Sequence, residues 1–266
     1  MNRRDLLATS LAAPLVAGVL GEAARAAGGD LGGREYYELR VYHFKDEAKL
    51  QAMESFIQRA LVPAGKRMGL RPYGIFTPVQ QTPSPTLYAL VTYKSPEDIE
   101  SVKARLAADT QFRADAAEYF RQPFNDPLFT RMESSLMVAF QGMPSLEVPP
   151  LTNAIKPRLY ELRTYESHSD LAHETKMRMF NEGEIAIFRR CGLNPVFFGS
   201  TLIGERLPNL TYMLAFDDME AHDKAWRTFG GDPEWKTLST TPGYTDREIV
   251  SKISNWFLKP TNYSPL

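Results

Sequence analysis

The chain has 266 residues, 43% of them hydrophobic, with four histidines, one cysteine and a formal net charge of −1. That length supports one large or two ordinary domains with full cores, and the balanced, interspersed charge argues against nucleic acid as a partner. Cys191 alone excludes an internal disulfide, and the scattered histidines offer no zinc-ligand spacing, so neither a metal nor a cofactor is called for by the residues.

Residues 1–26 read as an address. Arg3 and Arg4 precede an apolar run from Leu6 to Leu20, and Ala24-Arg25-Ala26 has the small-x-small pattern of a signal-peptidase site, which places cleavage between Ala26 and Ala27. The run is about 15 residues long, short of the roughly 20 that cross a bilayer, and it is only moderately hydrophobic. It resembles a twin-arginine export signal. On that reading the export machinery is a partner, no stable membrane span remains after cleavage, and the folded protein works in the periplasm or is secreted. Residues 27–33 are rich in glycine and form a flexible leader.

Tyr36 to His43 alternates as a half-buried strand. Asp46 is placed to cap a long helix in which Leu50, Met53, Ile57, Ala60 and Ala64 recur at spacings of three and four. Pro63 is expected to kink its last turn and Gly69 to end it in the left-handed region. Leu70 to Thr77 and Thr86 to Tyr93 read as strands either side of a proline-rich loop. Ser95-Pro96-Glu97-Asp98 starts a second helix with Ser95 as its cap. A short helix follows from Asp109 through Phe112, and Ser134 to Phe140 is the last strand.

The module then recurs. Tyr37-Glu38-Leu39-Arg40-Val41-Tyr42 returns as Tyr160-Glu161-Leu162-Arg163-Thr164-Tyr165, 123 positions on, and the same offset brings Gly69-Leu70 onto Gly192-Leu193, Pro72 onto Pro195, and Asp109 with Phe112 onto Asp232 with Trp235. Residues 34–141 and 157–258 are therefore two βαββαβ modules, joined by a proline-bearing linker at 142–156 and followed by a tail at 259–266. Copy two has strands at Arg158 to Glu166, Asn194 to Ser200, Leu210 to Phe216 and Arg247 to Leu258. Its helices run from Asp170 to Arg190 and from Met219 to Phe229, with a short one opening at Asp232.

The doubled Tyr-Glu-Leu-Arg-x-Tyr strand, the Gly-Leu after each long helix, and the Asp-x-x-Phe or Asp-x-x-Trp after each second helix resemble the NIPSNAP family. The resemblance implies an α+β fold of the dimeric α/β-barrel type, in which two tandem ferredoxin-like modules turn their antiparallel sheets toward each other as a pseudo-dimer within one chain. Related barrels include small monooxygenases, isomerases and haem-handling enzymes, so the fold leaves the reaction open. The family brings no agreed chemistry and no catalytic residues to carry over.

Strand parity nominates a site. If Leu39, Val41 and Leu162 lie under helices, then Glu38, Arg40 and Tyr42, with Glu161, Arg163 and Tyr165, point into the space between the sheets. Four charges there must pair, reach solvent or meet a polar ligand. One reading is a doubled Glu-Arg network that holds the sheets in register. The other is a pocket in which Arg40 or Arg163 holds a carboxylate or enolate while Tyr42 or Tyr165 donates a hydrogen bond. The likeness of the two copies at these six positions weakens the case for catalysis.

His43 is expected on the helix-covered face or past the strand end. His168 and His173 are five apart, not the four that aligns two ligands. His222 is expected to be exposed or edge-packed, and Cys191, Phe112 and Trp235 are expected in the core. Three functions fit: a barrel that binds a small organic anion or amphipath between its sheets; a cofactor-independent oxygenase, isomerase or lyase on a small aromatic or keto compound; or a structural or interaction module. Homo-oligomers are open to each.

Overall fold

The computed structural model describes residues 33–70, 73–148 and 158–266. Arg3, Arg4, the Ala26-Ala27 cleavage point and much of the linker lie outside these residues. Copy one contributes β1 (Tyr36–His43), β2 (Gly74–Pro78), β3 (Thr86–Tyr93) and β4 (Arg131–Ala139). Copy two contributes β5 (Leu159–Glu166), β6 (Asn194–Ile203), β7 (Asn209–Phe216) and β8 (Lys252–Pro260). Each copy forms a four-stranded antiparallel sheet, in the order β4-β1-β3-β2 and β8-β5-β7-β6. The sheets are hydrogen-bonded at both seams, β4 to β6 and β2 to β8, so the eight strands close one barrel. At the first seam a Cβ added to Gly199 would stand 2.8 Å from Met137 Cβ, so the strands meet where only glycine fits.

Helices cover the outside. In copy one, α1 spans residues 47–68, with α-helical Glu47–Phe56 and Val62–Met68 flanking a π-helical turn at Ile57–Leu61; α2 (Glu97–Ala108), α3 (Thr110–Asp115) and α4 (Ala117–Phe120) follow. In copy two, α5 spans residues 170–190 with a π-helical turn at Phe180–Glu184, followed by α6 (Met219–Gly231), α7 (Pro233–Thr240) and α8 (Asp246–Ile249). The two π turns sit at the same offset, and copy two carries Ala186 where copy one has Pro63. The irregularity therefore belongs to the module rather than to the proline. Asp46 caps α1 as expected, accepting from Lys49 N at 3.0 Å, Asp232 caps the short helix that opens at it, accepting from Trp235 N at 2.9 Å, and Gly69 has φ 61°.

Four local expectations fail. The strand expected from Leu70 begins only at Gly74. Ser95 does not cap α2, which begins at Glu97, while Asp98 accepts from Lys94 N at 3.0 Å. β4 begins at Arg131 rather than Ser134. Arg247, expected in the last strand, lies in α8, whose start is fixed by the Glu248 carboxylate accepting from the Thr245 hydroxyl at 2.7 Å and N–H at 3.3 Å.

The middle of the barrel interior is an apolar core. Tyr37, Leu39 and Leu162 turn inward with Tyr160, Phe76, Phe197, Met137 and Met213. Tyr37 packs on Phe197 and Phe76 on Tyr160, each pair 5.0 Å apart at the ring centroids. This reverses the expected parity. An interior walled laterally by backbone reaches water only at the barrel mouths, where His43, Arg131 and Glu133 stand, and so takes the apolar face of each strand along its middle. The helix-covered face keeps edges through which a charged head finds partners.

Candidate functional site

Glu38, Arg40 and Tyr42 therefore face the helices of copy one, and Glu161, Arg163 and Tyr165 those of copy two. In copy one Arg40 donates from Nε and Nη2 to the two oxygens of Glu38, both at 2.7 Å. The Tyr93 hydroxyl adds a bond at 2.9 Å and Ser134 Oγ one at 2.8 Å. Burial pushes the Glu38 carboxyl up, but Arg40, Ser134 and Tyr93 together outweigh it and hold the group below the ordinary carboxylate range. Burial works against Arg40's charge as well, and Glu38 and Tyr42 more than offset it, so the guanidinium is held firmly charged. The fork is fixed by its own neighbour, and the Tyr42 side chain bonds the same guanidinium.

Beside this pair, between the sheet and the helices of copy one, lies a cavity of about 600 Å³. Arg40, Tyr42 and Ala89 form its sheet wall, and Met53, Ile57 and Gly65 of α1 stand opposite. Its remaining walls are aromatic and aliphatic, with Phe56 stacked on Tyr119 at 3.9 Å. Lys103 and Arg113 add positive charge. A volume in the usual ligand range, apolar walls and a few convergent polar groups are the marks of a small-molecule site.

The sequence model of the NIPSNAP family matches residues 37–142 and again residues 160–265. The chain is a member of the NIPSNAP family. No curated protein matches it. Among solved structures, a NIPSNAP-like domain protein from Burkholderia xenovorans is 21% identical over 41% of this chain and 90% of its own, with a TM-score of 0.37. A putative monooxygenase from Fusobacterium nucleatum is 9% identical over 85% of this chain and 92% of its own, with a TM-score of 0.53. An anthrone oxidase-like protein is 10% identical over 87% and 93%, with a TM-score of 0.50. The NIPSNAP chain thus shares its double-module barrel fold with the putative monooxygenase and the anthrone oxidase-like protein.

Within this NIPSNAP pair the copies differ where the cavity lies. At the 123-residue offset Gly65 becomes Phe188, Ala89 becomes Tyr212, Ile75 becomes Phe198, Ile57 becomes Phe180, Lys103 becomes Trp226 and Leu106 becomes Phe229. These rings interlock. Phe188 meets Phe229 at 4.9 Å and Tyr212 at 5.8 Å, and Phe198 stacks on Tyr212 at 5.2 Å. Met53 and Leu61 become Lys176 and Glu184, an ion pair at 3.2 Å whose side chains are 1% and 2% exposed. Glu161 keeps Arg163, at 2.8 Å, but takes its further bonds from Trp226 Nε1 at 2.8 Å and Asn255 at 3.3 Å. Copy two is copy one with the hollow filled.

The structure also relocates the secondary candidates. A pocket of about 440 Å³ does lie between the sheets, at one barrel mouth, but none of the six nominated residues lines it. His43 faces that mouth and pairs with Glu133 at 3.2 Å. His222 is packed between Phe216 and Phe257 with Nε2 3.3 Å from Glu161, not exposed. His173 is buried and bonded to Ser200 Oγ at 2.9 Å. Among the described residues no three His, Cys, Asp or Glu side chains converge as a metal site. Cys191 and Phe112 are buried, and Trp235 packs on the copy-two core. Sequence reading missed Gly65, Ala89, Tyr93 and Lys103, because it compared the copies for what they share.

Proposed function

We propose that the copy-one cavity binds a small aromatic or amphipathic organic anion. Its charged end lies at Arg40 and Tyr42, its apolar body lies against α1 and the Phe56–Tyr119 pair, and copy two serves as the packed structural half. The observation that carries this reading is the asymmetry: Gly65 and Ala89 in one copy stand where Phe188 and Tyr212 fill the other. An open cleft of this size leaves its methyl and methylene walls without packing partners, and the same module accommodates the residues that would close it. Glu38 is committed to Arg40, Tyr93 and Ser134, Lys103 bonds Glu100 at 2.7 Å at the exposed rim, and among the described residues no carboxylate lines the cavity beside Arg40, Lys103 and Arg113, so its lining suits an anion.

Thermal unfolding against a panel of aromatic carboxylates and phenols tests it, with Ala89→Tyr as the filled control. Any ligand at 100 times its dissociation constant is expected to stabilise the wild type by about 2.7 kcal/mol and the control not at all. Equal shifts in both proteins would remove the cavity from the account.

A second reading is that the site turns its ligand over as an oxygenase, isomerase or lyase without a cofactor. It is supported by the barrel shared with a putative monooxygenase and by the Arg40-Tyr42 pole, which could stabilise an enolate. Arg40→Met is then expected to abolish turnover while Arg163→Met affects stability alone. The leader supports a site of action outside the cytoplasm. A reporter fused to residues 1–33 is expected to be exported, and to be retained when Arg3 and Arg4 are both replaced by Lys.

A further inference from the structure

Copy two shows what occupies the space that copy one leaves open. Ala89 and Tyr212 hold the same register position, each directly opposite the arginine of its first strand, Arg40 in one case and Arg163 in the other. In copy two the Tyr212 phenol spans the interior and its hydroxyl meets that of Tyr165 at 3.0 Å. Tyr165 corresponds to Tyr42 and lies under the Arg163 guanidinium, whose carbon is 5.6 Å from its ring centroid. The Tyr212 ring stacks on Phe198 and neighbours Phe188, which stands where copy one has Gly65. Copy one keeps the tyrosine that receives the phenol and the arginine beside it, and carries Ala89 in place of Tyr212; the phenols of Tyr93 and Tyr119 line the same cavity from β3 and α4. A Cβ at Gly65 would meet Leu70 only at ordinary contact distance, 3.6 Å, so this glycine is not demanded by its backbone or its neighbours.

We infer that the copy-one site takes a hydroxyaromatic ligand of two fused or linked rings. Its phenolic ring replaces the missing Tyr212 side chain over Ala89, its hydroxyl bonds to Tyr42 beside Arg40, and its second ring lies over Gly65 where Phe188 lies in copy two. This rests on the reading of that cavity as a ligand site and sets a phenol, neutral at neutral pH, in place of the carboxylate-like anion at its polar end. The filled copy carries a covalently attached stand-in for the ligand of the hollow one, which is why Arg and Tyr persist in both while the residues between them differ.

Binding of 2-naphthol, its methyl ether and 2-naphthoate to the full chain, followed by ligand fluorescence, tests the inference. The wild type is expected to bind 2-naphthol about tenfold more tightly than the ether, the usual worth of one hydrogen bond to a buried polar partner. Tyr42→Phe is expected to erase that preference. Ala89→Tyr, and independently Gly65→Phe, are expected to abolish binding while keeping the wild-type circular dichroism spectrum. If the ether binds as tightly as the phenol, or Tyr42→Phe leaves the preference intact, the phenol assignment is overturned. If 2-naphthoate binds in an Ala89-dependent way and 2-naphthol does not, the phenol assignment fails while the cavity reading stands. If none of the three binds, both fail.

Discussion

Lys176 and Glu184 occupy positions that are Met53 and Leu61 in copy one, and the comparison fixes what each is worth. Burial pushes the Glu184 carboxyl up even against the attraction of Lys176, while Glu184 and Asp246 hold the Lys176 ammonium up against its own burial. Lys176→Met strands a buried carboxylate and is expected to cost about 3–5 kcal/mol, whereas Lys176→Met with Glu184→Leu, the copy-one pair, is expected to restore stability to wild type or above. Chemical denaturation of the three proteins checks this. A carboxyl raised above its unfolded value favours the folded state when protonated, so the loss in the single variant should shrink as pH falls. Glu38 behaves in the opposite sense. Its carboxyl is lowered in the fold, so its contribution is complete above the unfolded value of 4.5 and is lost as pH falls through the lower folded one. Glu38→Gln is expected to flatten the acid limb of a stability profile and to weaken the protein at neutral pH, where Arg40 is left unpaired. The charged pairs themselves were legible in the sequence as Glu-x-Arg, since buried charges must find partners. Their face was not, because in β1 both parities carry large apolar groups and only the closed barrel decides which of them stays dry.

At the scale of elements the repeat extends to ionic ties. Arg67 of α1 holds Asp109, the cap of α3, at 2.7 Å, and Arg190 of α5 holds Asp232, the cap of α7, at 2.6 Å. The four residues are related by the same 123-residue offset. The hydrogen bonds of Arg190, with the Trp235 N–H, bring the Asp232 carboxyl down to about 2. Asp109→Ala and Asp232→Ala are each expected to lower Tm by a few degrees, through loss of the cap and of the tie together. Calorimetry near neutral pH would show it, and the effect should vanish in acid below the depressed carboxyl value. These caps were readable from Asp-x-x-Phe and Asp-Pro-Glu-Trp because capping is local chemistry. The π turns were not, since nothing in the composition of Ile57–Leu61 or Phe180–Glu184 marks an extra residue in the turn. The proline at residue 63 invited the wrong cause. What the turn does is visible in the packing: it sets Ile57 against the cavity in one copy and Phe180 into the aromatic core of the other.

Over the whole molecule the two sheets are one object, because each supplies the hydrogen-bond partners for the other's edge strands. Either module alone would expose two open edges and the apolar face that now fills the barrel. All three tryptophans lie in copy two, Trp226 and Trp235 in its own core and Trp256 in the barrel interior near Tyr88 of copy one, so tryptophan emission reports chiefly that half and circular dichroism the whole. The two probes are expected to give coincident denaturation curves, and separate transitions would show independent modules. The tandem architecture was legible because the offset repeats identities along the chain; the site was hidden in the same alignment, in its differences. Gly65 against Phe188 and Ala89 against Tyr212 are visible without coordinates, but they acquire meaning only once strand register and helix cover bring them to one space. The central claim is that copy one is hollow where copy two is solid. Diffraction from crystals pressurised with xenon, which enters dry apolar voids, measures this most directly. Xenon among Met53, Ile57, Gly65 and Ala89, with none at Phe188 and Tyr212, is the expected result; a copy-one interior closed by its own side chains, or xenon in both copies, would contradict it.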